Sequence, residues 1–276
     1  MPADTCSIQT AQLRGVTALP ITVEVGMTAG IPAITIVGCP DSAVLESRLR
    51  VRAALKSCGF TLPRVHITIN LSPAEIRKTG TAYDLPIALA ILASTGQIPK
   101  EGLDQSLFVG ELALNGDIAT TRGTVAYARL AHELGLSLVF GGERGFLPIE
   151  DGLVCSNISA MKTGIDACRP FAPIRELRRD GPSDMPRDEL DFADVIDQDV
   201  AKRAFLVAAV GNHGLMMMGP PGAGKTMLAK RMPSILPRMD DRQLNEALLI
   251  HSVAGDDTKD ISLGIRPFRA PHHSIS

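Results

Sequence analysis

The segment Gly219-Pro220-Pro221-Gly222-Ala223-Gly224-Lys225-Thr226 constrains this chain more than any other part of it. It fits the P-loop (Walker A) pattern G-x-x-x-x-G-K-[ST], in which glycines let backbone N–H groups close around phosphates. In this pattern the ammonium of Lys225 reaches the β- and γ-phosphates, and the hydroxyl of Thr226 reaches Mg²⁺. The motif therefore predicts that residues 219–226 bind a nucleotide polyphosphate together with Mg²⁺.

The residues on either side of the motif predict a strand, a loop and a helix in that order. Leu215-Met216-Met217-Met218 is a short apolar run suited to a buried parallel strand. Residues 227–232 continue as a helical stretch before Pro233. This order would place the positive end of the helix dipole at the bound anion. The alternative explanation is a Gly/Pro turn that ends a core strand.

Composition narrows the class of protein. With 276 residues, 45% of them hydrophobic and 21% charged, we expect about two globular domains. The net charge of −2 gives no overall basic field for nucleic acid or membrane. Five cysteines without a C-x-x-C pair are typical of reduced thiols in a cytoplasmic protein. Because no apolar run approaches the length of a membrane span, we expect no membrane partner.

The part before the linker alternates strand and helix signals. Residues 21–25 and 33–37 both alternate and flank Gly30, which predicts a β-hairpin. Pro40-Asp41-Ser42 then begins a helix that ends near Ser57. Further strands are expected at 65–69, 107–112, 136–140 and 153–155, helices at 84–93 and 124–135, and a hairpin turn at 115–116. The pattern predicts an α/β unit.

A line of basic residues follows the first helix. Arg48, Arg52 and Lys56 recur every four residues beside an apolar face. A solvated helix edge is the favoured interpretation, since charge runs usually face water. Contact with a phosphate backbone is the alternative.

Between residues 169 and 188 the composition changes to Pro, Arg and Asp, which predicts an interdomain linker. Helices are expected beyond it at about 198–210 and 240–251. His272 and His273 could suggest a metal site near the end of the chain. Adjacent histidines diverge on most backbones and no third ligand is evident, so a structural role is favoured.

Several segments together resemble a known family. Residues 191–198, Asp-Phe-Ala-Asp-Val-Ile-Asp-Gln, are similar to the adenine-side segment that opens AAA+ ATPase modules, although Asp197 stands where that pattern usually has glycine. The P-loop and residues 251–255 and 266–273 resemble the magnesium-chelatase-like family called YifB or ComM. Residues 35–41, 50–55 and 84–88 of the N-terminal part resemble the same family.

This resemblance implies the domain organisation. Residues 1–168 would form an α+β domain of the ribosomal-protein-S5-like fold shared with Lon proteases. Residues 169–188 would be a linker, and residues 189–276 the N-terminal part of an AAA+ P-loop α/β domain. The cofactors would be ATP and Mg²⁺. Full-length relatives would form hexameric rings and act on DNA, for example in branch migration during competence.

An AAA+ motor also needs a strand that ends in acidic residues and an arginine from a neighbouring subunit. No such strand is found between Met227 and Ser276, and Asp256-Asp257 stands in a turn-like context. We therefore expect a C-terminally truncated family member that binds ATP without hydrolysing it, with no catalytic residues of its own.

The Lon likeness raises a peptidase hypothesis, because Lon uses a Ser-Lys dyad. Alignment with Lon puts Ala82 at the nucleophile and Val125 at the lysine, and Ser72 and Lys78 lie in the preceding loop. We therefore expect no peptidase activity. Two other functions remain open: a non-enzymatic adaptor that uses the N-terminal domain, and a metal-chelatase ATPase subunit, which generally lacks such a domain.

Overall fold

The computed structural model describes residues 6–142, 152–171, 190–237 and 239–271. The chain divides into two compact units. The first contains Met1–Ile174 and Leu249–Asp256, and the second contains Arg175–Leu248 and Asp257–Ser276. No helix in the described ranges is long and apolar enough to cross a membrane.

The first unit is built on an eight-stranded mixed sheet, which confirms the α/β class. Its strands are β1 (Ser7–Arg14), β2 (Thr17–Thr28), β3 (Ala33–Val37), β4 (His66–Ser72), β5 (Ser106–Val109), β8 (Ser137–Phe140), β9 (Gly152–Val154) and β10 (Arg169–Pro170). Their spatial order is β10-β9-β8-β5-β1-β2-β4-β3. A separate two-stranded ribbon joins β6 (Glu111–Leu112) to β7 (Ile118–Ala119).

The predicted hairpin of residues 21–25 with 33–37 is wrong. Strand β4 lies between them, antiparallel to β2 and parallel to β3, so that Ile69 pairs with both Val25 and Ile36. The hairpin partner of β2 is β1. The pattern missed β1 because this strand buries two polar residues, Thr10 and Gln12, where an apolar alternation would be expected.

Three helices cover the sheet of the first unit, at the predicted places. They are α1 (Ser42–Ser57), α2 (Asp84–Ser94) and α3 (Thr124–Leu134). The carboxylate of Asp41 caps α1 by accepting from the Val44 N–H at 2.9 Å. Helix α2 packs against α1, β1 and β2, and α3 packs against β2 and β8.

The predicted strand at 107–112 is interrupted at Gly110, which lies between β5 and β6. The Gly110 N–H donates to the Ala82 carbonyl at 3.1 Å, and its carbonyl accepts from the Leu85 N–H at 3.0 Å. A Cβ at Gly110 would lie 2.6 Å from the Ile118 side chain. These two hydrogen bonds of Gly110 therefore connect the β5–β6 segment to the start of α2.

The end of the first unit runs through 3₁₀ helices at Ile158–Thr163 and Ile165–Ala167 into β10. Arg169 and Pro170, the first two residues of the predicted linker, pair with β9. Phe171 then packs on Phe140 with ring centroids 5.5 Å apart. The rest of that linker, from residue 172, lies outside the described residues.

The regular elements described in the second unit are all helices. It contains α4 (Asp199–Gly211), α5 (Lys225–Arg231), α6 (Asp241–Ala254), whose last residues group with the first unit, and α7 (Lys259–Ser262). Short 3₁₀ helices span Phe192–Asp194 and Met232–Ile235. One buried hydrophobic cluster of this unit contains Phe192, Val195, Phe205 and Leu228.

Candidate functional site

The P-loop is a turn between a segment without regular secondary structure and helix α5. Gly222 and Gly224 have φ values of 82° and 80°, in the left-handed region that only glycine adopts readily. The Ala223 N–H donates to the Pro220 carbonyl at 3.3 Å and closes the turn. Helix α5 begins at Lys225, so the N–H groups of its first turn have no acceptor within the helix.

The Lys225 ammonium is folded back onto its own loop. It donates to the carbonyls of Gly219 and Pro220, both at 2.8 Å. These two contacts hold the positive charge at the mouth of the turn, where the motif would place phosphates.

An open pocket of about 340 Å³ adjoins the start of α5. Its lining includes two basic residues, Lys225 and Lys230, and the exposed residue Thr226, but no acidic residue. Its other lining residues are Met217, Ala229, Phe268 and Ala270. The donor set therefore fits an anion, and Phe268 brings the 266–273 motif to the same pocket.

The segment at 191–198 packs directly against the P-loop helix. Phe192 and Leu228 of α5 share one buried cluster, in which the Phe192 and Phe205 ring centroids lie 5.5 Å apart. The Arg231 guanidinium donates to the Asp191 carbonyl at 3.1 Å. Asp191 and Asp194 form a capping box. The structure thus brings the two halves of the predicted nucleotide site together.

Asp197 has a φ of 58°. This left-handed conformation explains why the resembling pattern usually has glycine there, and aspartate is among the residues that tolerate it best.

The run Leu215-Met216-Met217-Met218 is not a strand, contrary to prediction. These residues have no regular secondary structure, and Met216 and Met218 are 83% and 85% exposed. A central parallel strand needs neighbours on both sides, and none is found in residues 190–237 and 239–271.

The carboxylates of Asp256 and Asp257 have local structural contacts. Asp256 lies 2.8 Å from His251 Nδ1, and Asp257 accepts from the Lys259 N–H at 2.9 Å. His272 and His273 lie outside the described residues. Within the described ranges, no group of acidic, His and Cys side chains could hold a metal ion.

The positions that correspond to the Lon dyad carry no reactive atoms, since Ala82 and Val125 are buried aliphatic residues. Lys78 is also buried, and its ammonium donates to the Pro73 carbonyl. Burial lowers the pKa of Lys78 below its ordinary value. The Lys78 ammonium thus contacts a main-chain carbonyl and not a serine hydroxyl that it could activate.

Sequence reasoning missed an ion pair between two of the quoted N-terminal motifs. Arg50 donates to Asp84 through Nε at 2.6 Å and Nη2 at 2.9 Å, and the Leu112 N–H donates to the same carboxylate at 3.2 Å. The hydrogen bond to Asp84 raises the pKa of Arg50. A lone Asp at the start of an apolar helix was the available signal, because a buried carboxylate requires a partner.

Two family models match the chain. One, described as subunit ChlI of Mg-chelatase, matches residues 23–141 of the first unit. The other, described as magnesium chelatase, subunit ChlI, matches residues 191–276 and includes the P-loop.

Curated relatives extend this likeness over nearly the whole chain. YifB of Escherichia coli K12 is 38% identical over 275 residues, which are 98% of this chain and 53% of YifB. The competence protein ComM of Haemophilus influenzae is 35% identical over 267 residues, 95% of this chain and 52% of ComM. The chain thus spans about half the length of these relatives. Because both units match, the chain belongs to the magnesium-chelatase-like family that includes YifB and ComM.

Proposed function

We propose that this chain is the ATP-binding part of a magnesium-chelatase-like AAA+ protein that acts in DNA processing. The P-loop carries the proposal. Two left-handed glycines, an ammonium group and free first-turn N–H groups converge beside a pocket without carboxylates. This combination is what a polyphosphate requires at a helix N-terminus.

Each residue of the loop has a role in this proposal. The Lys225 ammonium exchanges its two carbonyl contacts for the β- and γ-phosphates, and the N–H groups of residues 222–226 surround the phosphates. The Thr226 hydroxyl would bind Mg²⁺, which neutralises phosphate charge when bound. Phe192 and its neighbours in the buried cluster pack against Leu228 of α5 and so fix the position of the helix that follows the loop.

We further propose that this chain does not hydrolyse ATP. Hydrolysis needs a carboxylate beside Mg²⁺ and an arginine from a neighbouring subunit. Asp256 and Asp257 follow a helix and contact His251 and the start of α7, so neither ends a strand beside the P-loop. Assembly into a hexameric ring, expected from full-length relatives, remains part of the proposal.

The DNA-processing role rests on the name of one relative, competence protein ComM, which matches 95% of this chain. A second candidate is a non-enzymatic adaptor that binds a partner through the first unit. The aliphatic residues at the dyad positions, Ala82 and Val125, favour a non-enzymatic role for that unit.

Calorimetric titration with Mg-ATP tests the nucleotide site. Lys225→Ala removes the charged donor aimed at the phosphates and should weaken binding by about 2 kcal/mol or more. Lys230→Ala is the matched control, because it removes the same charge from the same pocket without touching the loop. Equal affinities of wild type and Lys225→Ala, or equal losses in both variants, would contradict the assignment. Absence of ATP binding in the wild type would favour the adaptor.

A further inference from the structure

We propose that helix α1 contacts the phosphate backbone of double-stranded DNA through Arg48, Arg52 and Lys56, hereafter the α1 basic row. The choice of DNA as the partner rests on the DNA-processing role proposed above. The surface itself lies in the first unit and is independent of the P-loop.

The α1 basic row is exposed and unpaired. All three side chains are exposed. Within the described part of the chain, none of them has an ion pair or a side-chain hydrogen bond. Arg50, on the same helix, differs: it binds Asp84, the Ala43 carbonyl and Ser47. Arg50 therefore forms contacts within the fold, whereas the α1 basic row is exposed and can contact a partner.

The spacing of the row is unfavourable for the isolated helix. Like charges four residues apart repel each other, and the row contains two such pairs, Arg48 with Arg52 and Arg52 with Lys56. Lys56 lies in the last turn, where it complements the helix dipole. Arg48 and Arg52 lie too far from that end to gain from it. A polyanion bound along the row would turn this repulsion into attraction.

The geometry of the row suits a nucleic-acid strand. At 1.5 Å of rise per residue the three cations cover about 12 Å along the helix. One strand of duplex DNA presents a phosphate every 3.4 Å or so along its axis, so this length spans three to four phosphates. The one carboxylate on α1, that of Glu46, lies 3.9 Å from Arg50. The row therefore has no acidic residue of its own helix that would neutralise it.

The face next to the row favours backbone contact over base recognition. Leu45 and Leu49 are exposed beside it, at 38% and 63%, and α1 contains no aromatic residue on which an unpaired base could stack. The net charge of the chain is −2, so an overall basic field cannot account for binding. Contact should be independent of sequence and strongly dependent on salt.

The test measures binding of the full chain to a fluorescent random-sequence duplex over a series of salt concentrations, without nucleotide. The triple variant Arg48→Gln/Arg52→Gln/Lys56→Gln should reduce the slope of log K against log salt by about 3, since each phosphate contact contributes about 0.9. Between 50 and 200 mM salt, wild-type affinity should therefore fall about 40-fold more than that of the variant.

A matched triple variant, Arg14→Gln/Arg64→Gln/Arg129→Gln, removes the same charge from exposed positions on three other parts of the first unit. It should keep the wild-type slope. Equal slopes in wild type and the α1 variant, equal losses in both triple variants, or no wild-type binding at 50 mM salt would overturn the proposal. Relief of like-charge repulsion and loss of the Lys56 interaction with the helix dipole oppose each other, so the α1 variant should melt close to wild type. A melt of the same samples therefore separates loss of binding from loss of folding. Calorimetry with ATP on the same proteins tests the nucleotide site separately.

Discussion

Replacement of Arg50 by Met should destabilise the first unit strongly. Asp84 has no solvent exposure and accepts three hydrogen bonds, two from Arg50 and one from the Leu112 N–H. Methionine keeps the apolar stem of Arg50 but removes two charge-assisted bonds and leaves a buried charge with a single donor. Removal of one partner of a buried pair costs about 3–5 kcal/mol. Because the Arg50 side chain is 19% exposed, we expect the lower end, about 3 kcal/mol.

Two further variants separate loss of the pair from loss of packing. Arg50→Met combined with Asp84→Leu removes both charges, so its free energy of unfolding should be higher than the sum of the single effects predicts, by about 2 kcal/mol. Arg52→Met changes an exposed, unpaired arginine two residues away and should stay within about 0.5 kcal/mol of wild type.

The chain provides its own probe for this measurement. It has no tryptophan and only two tyrosines, Tyr83 and Tyr127. Both are buried in the first unit, so tyrosine fluorescence during urea unfolding reports on that unit alone. If Arg50→Met unfolds within about 0.5 kcal/mol of wild type, the buried Asp84 carboxylate does not depend on Arg50 and the reasoning is wrong.

Three other outcomes are expected. Purified chain at saturating Mg-ATP should release phosphate no faster than buffer, and turnover that disappears in Lys225→Ala would reveal a missed carboxylate. Asp197→Gly should leave α4 as stable as before or slightly more so, whereas Asp197→Val should lower its hydrogen-exchange protection by about 1–2 kcal/mol, because valine is strained at positive φ. Burial raises the pKa of both Tyr83 and Tyr127, so their stabilising effect is complete below pH 10 and is lost as the pH rises above it. Tyrosinate absorbance should therefore appear together with unfolding of the first unit, and gradual titration in the folded state would contradict this.

The features that the sequence predicted correctly depend on contacts within a few residues. The cap of α1 needs only Asp41 and the Val44 N–H three residues later. The turn at 115–116 needs Gly116, whose φ of 91° closes the β6–β7 hairpin. The P-loop likewise owes its shape to its own glycines. A short window of sequence contains all the partners in these cases, so local chemistry was sufficient.

Features that depend on distant partners were missed. Strand β4 enters between β2 and β3 from more than 30 residues away, and nothing in the alternation of residues 21–25 or 33–37 distinguishes a direct neighbour from a next-but-one neighbour. The Arg50–Asp84 pair likewise joins two helices. Its arginine was hidden among other basic residues on α1, and only burial of the aspartate identifies it.

The run Leu215-Met216-Met217-Met218 also depends on distant partners, but here a structure was predicted that does not form. Its composition predicts a strand that is buried on both faces. Such a strand forms only when neighbouring strands pair with it. The described residues of the second unit form helices and turns and supply no such strands, so Met216 and Met218 remain exposed. Leu228, ten residues beyond the end of the run, is nevertheless buried, because its partners Phe192 and Phe205 are present. An apolar pattern therefore indicates that a segment is suited to burial. Whether the segment is buried depends on the residues that pack against it.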